Sequence, residues 1–407
     1  MKGFRNKKGS FAVLAVMIVI SLYIGIGIII RASGEVAIGG AVENFGALWA
    51  KSILSEYDIA LRNRYAILGF YGDKNSVEKK IEEYMDYTFK SKDYIDYSAP
   101  DCNLDDYCLL STQNIKKQIE MISLESWLMR EEKESSEENT YREINAKWII
   151  ENLPSYNKAE ASYILGLVDK IKAGLNIESI SESIAIDNYI FNFFKDYMED
   201  RDLGETYFRC EVEYIITGKL SDIDAKADTK NKLLLLRNLL NISYLYTCPE
   251  KRDSAMVLAT SLTPGGAALI TQAIILEAWA YAEAENDLKI LYDEKTVPLL
   301  KNDSNWALSL KNVTKIEDDE TQKQEAKGID DAYVTPLKME GINYSNYLGV
   351  LLCGVPEDTK LMRIMDLIQI NMKYIYCDYF LLKDYYCGLS FDLGVNGNVY
   401  QFKDEYQ

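Results

Sequence analysis

The chain contains no histidine. That absence removes the commonest general base, the Ser-His and Cys-His nucleophilic pairs, and the usual zinc ligand. The seven cysteines (Cys102, Cys108, Cys210, Cys248, Cys353, Cys377 and Cys387) include no CxxC pair. An odd count at irregular spacing is not a disulfide framework. A structural zinc would need four of these thiolates to converge, so most are read as small buried apolar residues. GxSxG, the P-loop, GxGxxG and DxSxS are also missing. Each absence removes a catalytic or ligand-binding geometry. No catalytic residue, cofactor or metal is therefore expected, and the chain is read as not an enzyme. Positive charge is scarce too: the net charge is −18. Lys2, Arg5, Lys7 and Lys8 are unopposed at the N-terminus, so the remainder carries −22, the −18 total less those four positives. Such a surface repels phosphate backbones, and no nucleic-acid partner is expected.

What is present begins with one long apolar run. Phe11–Ile30 (FAVLAVMIVISLYIGIGIII) carries no charge, and about 20 helical residues span the hydrocarbon core of a bilayer. Only Arg31 and Glu35 follow closely, so the positive-inside rule puts the N-terminus in the cytoplasm and the bulk of the chain outside. The rival is a cleaved signal peptide. Its apolar region is usually only about 7–15 residues long and is followed by an A-x-A-like site, which is not found here. The expectation is an uncleaved single-pass signal-anchor in the cell membrane, with residues 11–31 held by membrane lipid. Beyond it, Ile38, Val42, Phe45, Trp49, Ile53, Tyr57 and Ala60 recur at helical spacing. A helix is expected to run on to about Leu68, straight or kinked at Gly39–Gly40. Its apolar face (Val42, Phe45, Trp49, Ile53) suits packing against either a helical partner or the chain's own extracytoplasmic part.

The resulting organisation is a basic cytoplasmic end (1–10), a transmembrane helix (11–31), an amphipathic stalk (32–73) and an extracytoplasmic domain (74–407). The charged stretch at 130–139 is a candidate boundary. The fold class is mainly α with a small β component (α+β). Helices are expected near 74–90, 113–129, 140–152, 157–173, 180–200, 230–247, 251–261, 265–293 and 357–375. Pro154, Pro249 and Pro264 stand at starts or breaks, and a short strand is expected through 305–312. Alternating apolar residues around Asn396–Gly397 predict a C-terminal β-hairpin.

Three acidic or thiol groupings are candidates for chemistry. Glu283 and Asp287 lie four apart on one helix face, with Glu277 nearby, a spacing that can share a proton or bind a metal. It equally suits a solvated face or lysine partners, and no ExxH partner exists for a di-metal bundle. Replacing Glu283 and Asp287 by Gln and Asn is expected to leave function nearly intact. Asp222, Asp224 and Asp228 lack the glycine and glutamate of an EF-hand loop and read better as an acidic helix start. Cys102 and Cys108 sit six apart in a polar loop read as outside the cytoplasm, where a local disulfide or two unpaired thiols are both open.

Several stretches together resemble a family of bacterial membrane proteins associated with tight-adherence (Tad) pilus loci and related to TadE/TadG-type pilin-like proteins. They are KKGSFAVLAVMIVISLYIGIGIIIRAS (7–33), SEYDIALRNRYAILGFYGD (55–73), EVEYIITGKLSD (211–222) with LLLLRNLLNISYL (233–245), AWAYAEAENDLKIL (278–291) with KTVPLLK (295–301), and YSNYLGVLL (344–352) with MRIMDLIQINM (362–372). The resemblance implies a non-catalytic surface protein working with pilus or secretion-system proteins. It also implies a processing site at Gly9–Ser10. One departure counts against ordinary processing and filament incorporation: the fifth residue after Gly9, usually glutamate in pilin-like precursors, is Leu14. Two other functions stand beside this one, a membrane-anchored binding or sensing domain and a carboxylate-dependent surface enzyme.

Overall fold

A computed structural model describes residues 8–90, 92, 94–125, 181–199, 201–314, 333–338 and 341–406. The fold is mostly helical with a small β component, as expected. The chain forms two compact units. The first is built from 1–62, 68–109 and 383–407, the second from 63–67 and 110–382. The second is thus an insertion between two stretches that come back together to make the first.

In the first unit, helix α1 runs unbroken from Lys8 to Leu54, 47 residues, through Gly39–Gly40. At about 1.5 Å per residue it is long enough to cross a bilayer and continue beyond it. It ends at Leu54 instead of continuing to Leu68. Leu54 is followed by a turn and by the short helix α2 (Ile59–Tyr65), and strand β1 (Phe70–Tyr71) follows in turn. Apolar spacing alone cannot register such a turn, because Tyr57 and Ala60 keep the helical period across it. Helix α3 (Lys74–Phe89) starts with a capping box between Asp73 and Ser76 and buries Val77, Ile81, Met85 and Phe89, one residue per turn. Strand β2 (Asp101–Asn103) pairs antiparallel with β4 (Gly388–Val395), and β4 pairs with β5 (Asn398–Glu405). Strand β3 (Tyr385–Tyr386) pairs with β1. The hairpin turn is the one the sequence announced: Val395 faces Asn398, and Asn396 and Gly397 take φ of 50° and 80°. Two positive-φ residues in a two-residue loop make the type I′ turn that suits twisted strands.

These elements close on one apolar core. Val42, Trp49, Ala50 and Ile53 of α1 pack with Met85 and Phe89 of α3 and with Leu389, Phe391 and Leu393 of β4. Trp49 meets Phe89 edge-on at 5.8 Å and stacks near Tyr84 at 6.5 Å. Gly46 permits the closest approach: a Cβ there would lie 2.3 Å from the Phe402 ring of β5.

The second unit is helical. Its members are α4 (Thr112–Glu125), α5 (Ser181–Phe193), α6 (Glu211–Thr217), α7 (Asp222–Thr247), α8 (Pro249–Leu262), α9 (Ala268–Tyr292), α10 (Leu310–Thr314), α11 (Tyr344–Leu352) and α12 (Glu357–Ile375). Ser221 caps α7, and Asp222 and Asp224 fill its first turn, so that acidic group complements the helix dipole. Pro249 opens α8. Leu245, Ala255, Ala259, Leu276 and Trp279 form a core between α7, α8 and α9, closed by Trp306, whose ring meets Trp279 edge-on at 5.8 Å. The strand expected through 305–312 is not formed. Residues 305–309 are irregular, and α10 begins at Leu310. The backbone at 307 and 308 is instead taken up by a carboxylate, Glu283. The helices expected at 140–152 and 157–173, and the boundary at 130–139, lie outside the described residues.

Candidate functional site

Three places in the structure carry residues that the sequence singled out. The first is α1. Val13–Leu54 contains the one helix, among the described residues, long and apolar enough to cross a membrane, with a mean hydropathy of 2.9 in its most apolar window and none of that window buried. Leu14, Met17, Tyr23 and Ile30 are among its bare side chains. Further along, Val42, Trp49 and Ile53 are buried and Phe45 is half-buried. The packing face therefore exists, and its partner is the chain's own α3 and β4–β5 hairpin. Gly9 and Ser10 lie in the first turns of α1.

The second place is the loop with Cys102 and Cys108. No bridge joins them, and both are free thiols. The reason is local. Cys102 lies on β2 opposite Phe391 with its side chain in the core, where burial pushes its thiol up to about 12. Cys108 follows a 3-10 turn and its Sγ donates to the Lys383 carbonyl at 3.5 Å. Beside them is an open cleft of about 530 Å³, lined by Lys74, Asp101, Asn103, Asp105, Ser390 and Asp392 among others. It is polar, and Lys74 is already held by Asp101 at 2.7 Å and by Glu78 at 3.5 Å.

The third place is the interior of the second unit, where polar side chains are concentrated. Glu283 and Asp287 are fully buried on α9. Lys301 Nζ lies 2.6 Å from Glu283 and 2.7 Å from Asp287. Glu283 also accepts the Ala307 and Leu308 amides at 2.8 Å each. Arg237, buried on α7, gives Asp287 Oδ2 two hydrogen bonds of 3.1 and 2.8 Å. Its remaining donors reach the Pro298 and Leu299 carbonyls, Tyr347 Oη and Asn241. Two cations thus meet two carboxylates, and the cluster is neutral. Glu277 is not part of it: it lies on the exposed side and accepts from Asn238 at 2.7 Å. Of the alternatives weighed for Glu283 and Asp287, partnership with basic residues is the one found, but buried, and with an arginine that spacing along α9 could not reveal.

A second buried set surrounds α6, every residue of which is buried. Glu211 accepts from the Lys195 amide at 2.9 Å and from Asn371 at 2.6 Å, and Asn371 also reaches Tyr65 Oη at 2.8 Å. Glu213 accepts from the Tyr197 amide and from Tyr344 Oη, both at 2.9 Å, and its other oxygen is buried without a hydrogen bond. Burial pushes both carboxyls up to about 7 against the hydrogen bonds that favour their charged forms. Asp196, which accepts from Ser345 at 2.5 Å, is raised for the same reason. Tyr214 donates to buried Asp366 at 2.6 Å. This set was not singled out by the sequence. Its signal was Glu-Val-Glu inside an otherwise apolar stretch, where a solvated helix face would put polar residues three or four apart. No group of three or more Cys, Asp or Glu with metal-holding geometry occurs among the described residues.

No curated protein and no solved structure matches the chain. Residues 111–397 match a family of unknown function, DUF5702, and since that match covers well over half of the sequence, the chain belongs to that family.

Proposed function

We propose that this is a non-catalytic protein anchored in the cell membrane by α1, with its N-terminus in the cytoplasm and both folded units outside. We further propose that it serves as a structural or assembly component of a Tad-like (type IVb) pilus or secretion system. One observation carries the anchoring: the helix whose Val13–Ile30 stretch is bare and charge-free is continuous with a second half that is core material of a folded unit. A bare apolar run of that length in water is costly, and lipid removes the cost. The four unopposed N-terminal positives supply the orientation. The pilus assignment is supported by the ordered resemblance along the chain. The non-catalytic reading is supported by the pairing of Glu283 and Asp287, whose charges are spent on Lys301 and Arg237.

Two measurements test this in order. Protease added to intact, wall-stripped cells should digest both folded units, and full protection would reverse the orientation. Capture of the tagged full chain from solubilised membranes should bring down a secretion ATPase or other pilus-assembly components. Recovery of the chain with none of them would leave the anchor standing and remove the pilus role.

A further inference from the structure

The hairpin of α8 and α9 ends in a surface unlike its surroundings. From Ser254 to Leu276 there is no charged residue, in a chain of net charge −18. Val257, Leu262, Leu269, Ile270 and Ile274 are between 59% and 73% exposed there. Pro264, Gly265, Gly266 and Ala267, which join the two helices, are exposed as well. Single exposed apolar side chains are ordinary, whereas five around one helical tip make a patch that calls for an occupant.

The polar groups of the tip point to what that occupant is. The Thr263 amide reaches Ala259 O at 2.8 Å, Ala268 reaches Gly265 O at 3.1 Å, and Ile270 and Thr271 reach Ala267 O at 3.1 and 3.2 Å. The hydroxyls are satisfied internally too: Thr260 on Met256 O at 2.8 Å, Ser261 on Leu258 O at 2.7 Å, and Thr271 on Thr263 Oγ1 at 3.0 Å. A surface that bonds its own hydroxyls and carries no charge suits the acyl boundary, where headgroups and water still reach the Gly265, Gly266 and Ala267 amides at its apex. A protein partner leaves a different signature, with Trp, Tyr and Arg anchors ringed by polar groups that reach across the interface. The exposed tip holds Leu, Ile, Val, Ala, Pro and Gly, self-bonded hydroxyls, and Gln272, whose amide donates to the Arg252 carbonyl at 2.8 Å.

We propose that the α8–α9 tip inserts into the lipid bilayer, giving the chain a second membrane contact besides α1. The proposal rests on the anchoring by α1 described above. The tip enters the acyl boundary to about 5–10 Å, as interfacial apolar segments do, and it uses no headgroup charge.

The test uses the full chain reconstituted in phosphatidylcholine vesicles, with a diazirine amino acid replacing Leu269 and, as a control, Tyr87, which is 94% exposed on the charged helix α3. Illumination should give lipid adducts at 269 well above those at 87. Adducts to a second copy or to another part of the chain, or reaction with water alone, would overturn the proposal. Ile270→Glu with Ile274→Glu should abolish the lipid adduct at 269 while leaving the melting transition in place, since both side chains are exposed. Retention of the adduct in that variant would overturn it. The yield should stay the same when phosphatidylglycerol is added. A yield that depends on the anionic lipid would assign the contact to Lys251 and Arg252 and overturn insertion by the apolar tip. A chain that floats with the vesicles but gives no lipid adduct at 269 refutes the tip alone. A chain that does not float refutes the anchor and the tip together.

Discussion

Lys301 holds two carboxylates together inside the second unit, and Arg237 takes the second of them from the other side. Removing one member of such a neutral set strands a charge away from water, which costs far more than the net value of the pair. Asp287→Asn should therefore destabilise the second unit by about 3–5 kcal/mol in a denaturant titration. The expectation that replacing Glu283 and Asp287 leaves function nearly intact is a separate matter from this cost in stability, which follows from their burial. Glu277→Gln, on the exposed side of the same helix, should change stability by no more than about 1 kcal/mol. Equal losses from the two variants would mean that the buried set is not formed. Gly46 gives a residue-scale test in the first unit. With a Cβ 2.3 Å from the Phe402 ring, Gly46→Val must push the hairpin off α1. A loss of about 1–3 kcal/mol is expected for such overpacking, and a variant that melts like the parent would contradict the packing of α1 on β5.

Among the elements, α6 is the one whose chemistry should be visible from outside. Its seven residues carry Glu211 and Glu213 into the interior, both raised from 4.5 to about 7 by burial. Asp196 faces Glu213, Arg64 and Lys195 face Glu211, and Tyr65, Tyr292 and Tyr344 complete the surroundings. Between pH 4.5 and about 7 the folded chain holds protons that the unfolded chain has released. Stability therefore falls as pH rises through that window, and the contribution is gone above it. The melting temperature should be several degrees higher near pH 5 than near pH 8, and Glu213→Gln should flatten much of that slope. A melting temperature that rises with pH over the same range would contradict the buried, proton-holding state. The elements also show what a sequence can and cannot disclose. The hairpin at Asn396–Gly397, the apolar run and the acidic start of α7 are local statements, each written in a few adjacent residues. Pairing β2 with β4 joins Cys102 to Phe391 across most of the chain, and no local period encodes such a partner. The same holds for Arg237 and Asp287. The stretches that carried the family resemblance, LLLLRNLLN, WAYAEAEND, KTVPLLK, EVEYIIT and MRIMDLIQINM, turn out to hold Arg237, Asp287, Lys301, Glu211 and Asn371. Their polar residues were visible in the sequence, and their burial was not.

At the scale of the whole molecule, α1 does two different jobs along one helix. Its second half cannot be removed without opening the first unit, because Val42, Trp49 and Ile53 lie in that core. Those residues are consequently not free to contact a pilin, and Trp49→Glu would report on folding instead of assembly. The first half is the reverse: Val13 to Ile30 touch nothing that holds the fold together, and that window is unburied. Under the proposed pilus role, Leu14 would take the place of a glutamate that seeks a neighbouring subunit, and a leucine is comfortable in lipid without one. Sheared filaments should accordingly contain little of this protein, and its N-terminal sequence should begin at Met1 or Lys2, or at Ser10 if a prepilin peptidase accepts Leu14. The division of α1 makes a sharper prediction. Replacing residues 1–31 with a cleavable secretory leader should release both folded units from the anchor, leaving at most the reversible contact of the α8–α9 tip. The released protein should melt within about 2 °C of the detergent-solubilised parent, since a loss of even 1 kcal/mol would shift a domain of this size by roughly that much or more. A released chain that aggregates or melts well below the parent would show that the apolar half of α1 is part of the fold, and the separation of anchor from head would fail with it.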